Sequence, residues 1–334
     1  MKILITTPLY PPDIGGPAQY AFNLEQEFQK LGHKVRVIKF SDVKHWPSGI
    51  RHFLYFFKLL PAMFWADWCL ILDTFSVGLP AVVAGRLLGK KTIIRTGGDF
   101  LWENYVERTG KLVLLRNFYQ TEIPVFSFKE RLIFKLTHWI LNRSNLIVFS
   151  TDWQRQIWHK PYRLDLSKTT IIENYYGGKE ISSEPTQKVF VSGSRFLKWK
   201  NKIRLFKAFA RAKAKIPSLV LDDSNVIYNQ FIKKIKENYA VILVSLGDIS
   251  PNMILDAIRY NKPFILAQET GLYDRLKNVG VFVDPEDIEE IKEKILWLVD
   301  SNNYQIAKKK IENFTFVHDW PGIAKEFLAL AKSQ

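Results

Sequence analysis

The chain has 334 residues, 47% hydrophobic and 24% charged, which excludes a disordered chain and suits two domains of ordinary size. Its single cysteine, Cys69, excludes an internal disulfide framework and makes a reducing compartment the simplest expectation. The net charge of +15 points to anionic partners, and anionic lipid, nucleic acid and phosphorylated small molecules all fit it.

Residues 2–7 read as a short apolar strand, followed by a loop over 8–17 that ends in Gly15-Gly16-Pro17. Two glycines before a helix let the backbone approach a phosphate or a sugar, and the helix start favours an anion. The order is not G-x-G-x-x-G, so the dinucleotide fingerprint is absent, and a plain turn is the competing reading. Residues 18–31 have a helical period, with Gly32 where a helix C-cap is expected. Residues 34–40 form the next strand, and 69–72, 92–95 and 146–149 are further buried-strand candidates. Helices are expected near 77–88 and 129–141. Continuous Val/Ile/Leu strands joined by helices argue for a parallel sheet covered on both faces.

The stretch 53–72 is the most apolar, but Lys58, Pro61 and Asp67 interrupt it, and no uncharged run approaches the ~18 residues of a membrane span. No signal peptide is expected. From Arg51 to Lys58 basic residues interleave with aromatic ones, as on a helix lying on an anionic membrane surface. An ordinary amphipathic core helix competes with that reading. After the strand at 92–95, Asp99 and Glu103 are candidates to face a cleft from the first domain, with structural turn residues as the alternative.

The pattern restarts after a polar break at 177–187. Strands are expected at 189–192, 219–221, 241–244, 263–267 and 281–283. Helices are expected at 202–214, 229–238, from Pro251 onward, and at 288–299, and the tail 320–332 reads as an amphipathic helix. This is a second α/β domain. Two doubly wound domains are expected to turn their strand C-termini toward one central cleft.

Arg195 and Lys200 follow the first strand of the second domain. An Arg fork and a mobile Lys charge suit phosphate oxygens and would stabilise a leaving diphosphate. Solvated charges in a basic neighbourhood (Lys198, Lys202, Arg204) are the alternative. In the segment from Asp248 to Asp256, Ser250 is read as an N-cap and Pro251 as the first helical residue. The free amides of Asn252 and Met253 then suit a diphosphate, and the two carboxylates suit sugar or ribose hydroxyls. Local capping by both acids is the alternative. The six histidines show no metal spacing, so no metal is expected.

Together these segments resemble glycosyltransferase family 4, the retaining enzymes of the GT-B fold, over nearly the whole chain. The first strand with its Pro-rich Gly15-Gly16 loop is similar to the family's first loop. Arg195 to Lys200 resembles its G-R-x-x-x-x-K element, with Ser194 interposed after Gly193. Asp248 to Asp256 falls on the E-x7-E motif, and Ala257, Lys262-Pro263 and Phe264-Ile265 follow the run E-A-x-x-x-G-K-P-V-I. Gly271, Asp284-Pro285 and Ile172-Glu173-Asn174 echo further positions.

The resemblance implies an α/β GT-B architecture: two Rossmann-like doubly wound parallel-sheet domains facing a central cleft. The domains are an acceptor-side one over 1–177 and a nucleotide-sugar one over 186–315, with the helix at 320–334 packing back on the first. It implies transfer of a sugar from a nucleoside-diphosphate donor to a glycan or lipid-linked acceptor, with no metal and no cofactor. Arg195 and Lys200 would bind the diphosphate, Asp248 the sugar hydroxyls and Asp256 the ribose. Gly15 and Gly16, with Asn252 and Met253, would let backbone meet phosphate or sugar. The expected location is cytoplasmic, peripheral at the inner face of a membrane. Nucleic acid is not an expected partner, since no recognition motif accompanies the charge.

Three departures stand out. Both acids are Asp rather than Glu, shortening each reach by ~1.5 Å. The histidine often found near the sugar in the first domain is replaced around Gly97-Gly98, where Asp99 is the substitute. Only 47 residues separate Lys200 from Asp248, short by a strand–helix unit that helps seat the nucleobase. A non-catalytic relative that binds glycans or partner enzymes is the second functional reading. An NAD-dependent oxidoreductase lacks its fingerprint.

Overall fold

The computed structural model describes residues 1–13, 15–47, 49–193 and 196–332. In chain order the first half carries β1 (Lys2–Thr7), α1 (Gly16–Lys30), β2 (Lys34–Lys39), α2 (Ile50–Trp65), β3 (Trp68–Ile71), α3 (Gly78–Leu87) and β4 (Lys91–Arg95). It continues with α4 (Phe100–Thr109), α5 (Leu115–Thr121), α6 (Phe128–Arg143), β5 (Leu146–Phe149), α7 (Asp152–His159) and β6 (Thr169–Ile171). The second half carries β7 (Val189–Val191), α8 (Lys202–Lys215), β8 (Val220–Asp222), α9 (Tyr228–Glu237), β9 (Ala240–Leu243) and α10 (Asn252–Arg259). It ends with β10 (Phe264–Ala267), α11 (Tyr273–Leu276), β11 (Val281–Val283), α12 (Ile288–Val299), α13 (Ser301–Glu312) and α14 (Trp320–Lys332).

The chain divides into two compact units. The first is Met1–Leu101, Glu122–Asn174 and His318–Gln334, and the second is Trp102–Thr121 and Tyr175–Val317. The segment Trp102–Thr121 therefore goes with the second unit, although the sequence reading placed the whole of 1–177 in the first.

The first unit holds a parallel sheet in the order β2-β1-β3-β4-β5-β6. Its central strands are buried on both faces, as their unbroken apolar runs require. Gly32, at φ 79°, ends α1 in the left-handed region that glycine enters at little cost. Ser127 and Glu130 close a reciprocal capping box on α6. The last helix, α14, packs on α1, with Tyr20 and Trp320 edge to face at 5.2 Å. The Lys91 ammonium donates to the Leu330 carbonyl at 2.9 Å, a cation at the helix end where the dipole favours one.

The second unit holds a parallel sheet in the order β8-β7-β9-β10-β11. One core lies on each of its faces. One joins α8, α12 and α13 around Phe190, Phe209 and Tyr304, and the other joins α9 and α10 around Ile254, Leu266 and Phe264. In each sheet the chain runs one way from the first strand to the second, then returns across the first to the third. The reversal leaves a crevice at the carboxyl ends of β1 and β3, and another at those of β7 and β9.

Candidate functional site

The second crevice is built from the loops after β7 and β9. After β7, a single turn over Lys198–Lys200 leads to Asn201, which sits at φ 58°, ψ 29°. Asparagine tolerates this left-handed conformation, and here its buried amide earns two bonds. Nδ2 donates to the Val244 carbonyl at 3.0 Å and to the Pro285 carbonyl at 2.7 Å. One side chain thus ties the loop after β7 to the ends of β9 and β11. The Leu246 amide adds a bond to the Trp199 carbonyl at 2.9 Å.

That bracing fixes Lys200 against Asp248, with Nζ 2.5 Å from Oδ2 and both side chains 14% exposed. Ser245 Oγ donates to the same carboxylate oxygen at 3.4 Å. The Asp248 backbone bonds across to the loop after β10, its amide to the Glu269 carbonyl at 2.9 Å and its carbonyl from the Gly271 amide at 3.2 Å. The neighbouring cations are engaged elsewhere. Lys198 bonds Glu107, Lys202 pairs with Asp223 and Arg204 with Glu286. Lys200 is thus distinguished from the basic run around it. Arg195 lies outside the described residues.

The helix α10 starts one residue later than its sequence suggested. Pro251, at φ −71° and ψ 111°, is the N-cap, and Asn252 and Met253 form the first turn. Ser250 does not cap the helix: its Oγ is buried without a hydrogen-bond partner. Proline supplies the extended cap conformation itself and has no hydroxyl to offer. One turn further, Asp256 is 8% exposed, and burial pushes its carboxyl up to about 6 against the opposing pull of Tyr228 and Arg259. The Tyr228 hydroxyl, at the start of α9, donates to Asp256 Oδ1 at 3.3 Å.

In the first unit, Gly15 is the N-cap of α1 and Gly16 its first residue, and the Gly15 carbonyl accepts from the amides of Ala18 and Gln19. Asp99 is buried, and the Trp158 indole donates to it at 2.7 Å. Glu103, in the first turn of α4, is half-buried and falls in the second unit. The structure therefore brings together Lys200 and Asp248, with α10 beginning four residues after Asp248, and assigns Asp99 a supporting bond within its own unit.

No protein-family model matches this chain, and no curated protein matches it. Solved structures match along its whole length. The Anabaena protein HepE in complex with UDP-glucose is 13% identical, with a TM-score of 0.72 and 100% of each chain covered. Sucrose-phosphate synthase from Thermosynechococcus elongatus is 11% identical, with a TM-score of 0.68 over 98% of each chain. The lipopolysaccharide outer core galactosyltransferase WaaB is 16% identical, with a TM-score of 0.62 over 98% of each chain. The fold is GT-B.

Within this GT-B chain, sequence reasoning drew only Glu103 from the segment carrying α4 and α5 and missed the contacts that hold this segment against the loops after β7 and β9. Trp102 and Trp199 meet at 5.5 Å, and the Leu115 amide donates to the Leu246 carbonyl at 3.1 Å. At Gly247, beside Asp248, the two segments press close, since a Cβ there would lie 2.5 Å from the Leu115 Cβ. Arg116 on α5 pairs with the buried Glu269, whose carboxyl is held above the usual range by desolvation. Gly193 serves a similar close approach after β7, where a Cβ would lie 2.5 Å from the Phe231 ring. Glycines just after strand ends were the available signal. Among the described residues no group of three or more His, Cys, Asp or Glu side chains is placed to hold a metal ion.

Proposed function

We propose that this chain is a retaining glycosyltransferase that moves a sugar from a nucleoside diphosphate to a glycan or lipid-linked acceptor. One observation carries the reading: the Lys200–Asp248 pair joins the loops after the adjacent strands β7 and β9, four residues ahead of the first residue of α10. A cation, a helix N-terminus and a carboxylate converge there, as a diphosphate joined to a polyhydroxylated ring requires. The fold adds support, since HepE is seen with UDP-glucose and WaaB is a galactosyltransferase.

In this scheme Lys200 and Arg195 neutralise the diphosphate, with the first-turn amides of Asn252 and Met253 behind it. Asp248 accepts from sugar hydroxyls, and Asp256 with Tyr228 meets the ribose. Gly15 and Gly16 give the first unit a backbone approach to phosphate or sugar. Asp99, through Trp158, supports the acceptor side. The acceptor hydroxyl attacks the anomeric carbon on the face the diphosphate leaves. The bond from that carbon to the phosphate oxygen breaks, and the hydroxyl proton passes to that oxygen. Charge neutralisation comes from Lys200 and Arg195, so the scheme needs no metal or organic cofactor. The lone thiol, Cys69, is buried and pushed up to about 12, so it takes no part in the transfer.

Calorimetric titration with UDP, GDP and ADP, without metal, tests the reading. Tight binding of one nucleotide, weakened about tenfold or more in Lys200→Ala, is the expected result. Failure to bind any of the three would favour a non-catalytic glycan- or partner-binding relative.

A further inference from the structure

The helix α2 is apolar on both sides. Its inner stripe, Tyr55, Leu59, Ala62 and Met63, is buried in the first unit's core. An outer stripe, Ile50, Phe53, Phe57, Pro61 and Phe64, recurs at three- and four-residue spacing and faces solvent. The three phenylalanines are 64%, 51% and 73% exposed. Together those rings show on the order of 300–400 Å² of aromatic surface, as much as the largest patch on many monomers. Phe53 and Phe57 stand edge to face at 4.7 Å.

The charge carried by α2 itself has one sign. No acidic residue lies between Asp42 and Asp67, while Lys44, Arg51 and Lys58 fall within that interval. Asp42 is already tied by Lys39 and Lys58. From the turn between α3 and β4 the Lys90 ammonium reaches to 6.0 Å from the Phe64 ring. Aromatic rings set among cations are what the boundary between lipid headgroups and acyl chains selects, because the ring enters the boundary while the cation meets phosphate. A helix of 16 residues is about 24 Å long, too short to span a bilayer, and no described helix is long and apolar enough to cross one.

We infer that α2 is a membrane-docking element: it lies flat on an anionic phospholipid bilayer, with Phe53, Phe57 and Phe64 inserted and Lys44, Arg51 and Lys90 on headgroup phosphates. This goes beyond the proposed sugar transfer and stands on separate residues.

Co-sedimentation of the full chain with vesicles tests it. The wild type is expected to sediment with vesicles of equal parts phosphatidylcholine and phosphatidylglycerol, weakly with phosphatidylcholine alone, and less as salt rises. Phe53→Ser/Phe57→Ser/Phe64→Ser is expected to lose about tenfold or more in apparent affinity, at an unchanged melting temperature. Because Cys69 is fully buried, an environment-sensitive dye can be placed selectively on Phe57→Cys, and its emission should shift to the blue on the anionic vesicles. Equal sedimentation of the triple variant and the wild type would overturn the inference, as would equal binding to neutral vesicles. A wild-type dimer that the triple substitution dissociates would also overturn it, by assigning the stripe to a second copy. Nucleotide titration of the same triple variant keeps this outcome separate from the fate of the donor site.

Discussion

The Tyr228 hydroxyl lies 3.3 Å from the Asp256 carboxylate, joining the first turn of α9 to the middle of α10. Asp256 is 8% exposed and Tyr228 48%, so the phenol is the outward end of the pair. Burial raises the Asp256 carboxyl from its ordinary 3.8 to about 6. A carboxyl raised by folding contributes stability that is fully present below pH 3.8 and is lost as pH rises through about 6. Asp256→Asn should therefore match the wild type near pH 4 and exceed it by roughly 2–3 kcal/mol at pH 7. Tyr228→Phe removes the bond that favours the ionised form and should cost about 1–2 kcal/mol at pH 7. Urea unfolding across this range checks both, and a difference between Asp256→Asn and wild type that stays flat with pH would sink the assignment.

Lys200 and Asp248, paired across two strand ends, should act as a unit in the proposed transfer. Lys200→Ala is expected to lower the transfer rate roughly 10²–10³-fold, in line with removal of one group that stabilises developing charge. Asp248→Asn should weaken discrimination among sugars more than nucleotide affinity. The double variant should be little worse than the poorer single one, because each substitution already breaks the 2.5 Å contact. Rates measured on all four proteins decide it. Fully additive losses would mean that the two residues act separately.

Much of this architecture is legible from local pattern. The strands β1, β5 and β11 and the helices α12 and α14 coincide with the apolar periods that announce them, since each buries a continuous face. The position of Lys200 and Asp248 after strand ends was legible for a related reason, since the strands before them are apolar runs. β6 was not legible, because Thr169–Ile171 is a short, half-buried edge with no run to read. The burial of Asp256 and its bond to Tyr228, 28 residues away, depend on how α9 meets α10. The partition of Trp102–Thr121 into the second unit was equally hidden. It follows from Trp102 against Trp199 and Leu115 against Gly247, contacts that no periodicity encodes.

Asn201 should be among the least replaceable residues of the second unit. Asn201→Ala keeps a left-handed backbone that costs a Cβ-bearing residue about 1–2 kcal/mol, and it strips the amide from two buried carbonyls. A loss of roughly 2–4 kcal/mol is expected. Asn201→Gly relieves the backbone and loses only the amide bonds, so it should fall between wild type and Asn201→Ala. Denaturant midpoints of the three proteins test that order, and an Ala variant as stable as the Gly variant would remove the backbone part of the account.

Gly247→Ala places a methyl 2.5 Å from the Leu115 Cβ. Neither atom sits at the end of a flexible side chain, so a backbone must shift. The expected cost is about 1–3 kcal/mol, typical of overpacking. Nucleotide affinity should fall with it, because the displaced backbone is that of Asp248's own loop. Thermal unfolding and calorimetry on the same sample distinguish this from a stability loss alone.

The pairing of Arg116 with Glu269 makes the hold of α5 on the loop after β10 dependent on pH. Glu269 is buried, its Oε2 has no hydrogen-bond partner, and desolvation raises its carboxyl despite Arg116. Arg116→Ala leaves that carboxylate without its cation. Removing one partner of a buried pair is strongly destabilising, but Arg116 is itself half exposed and water screens part of the attraction, so about 1–3 kcal/mol is expected at pH 7. A carboxyl raised by folding contributes stability at low pH that is lost as pH rises, and the variant raises it further. The penalty should therefore be small near pH 4 and grow toward neutrality. Glu269→Gln in the Arg116→Ala background removes the charge and should recover most of the loss. If the double variant is no more stable than Arg116→Ala at pH 7, the buried charge is not what Arg116 answers, and the packing of its aliphatic stem must carry the effect.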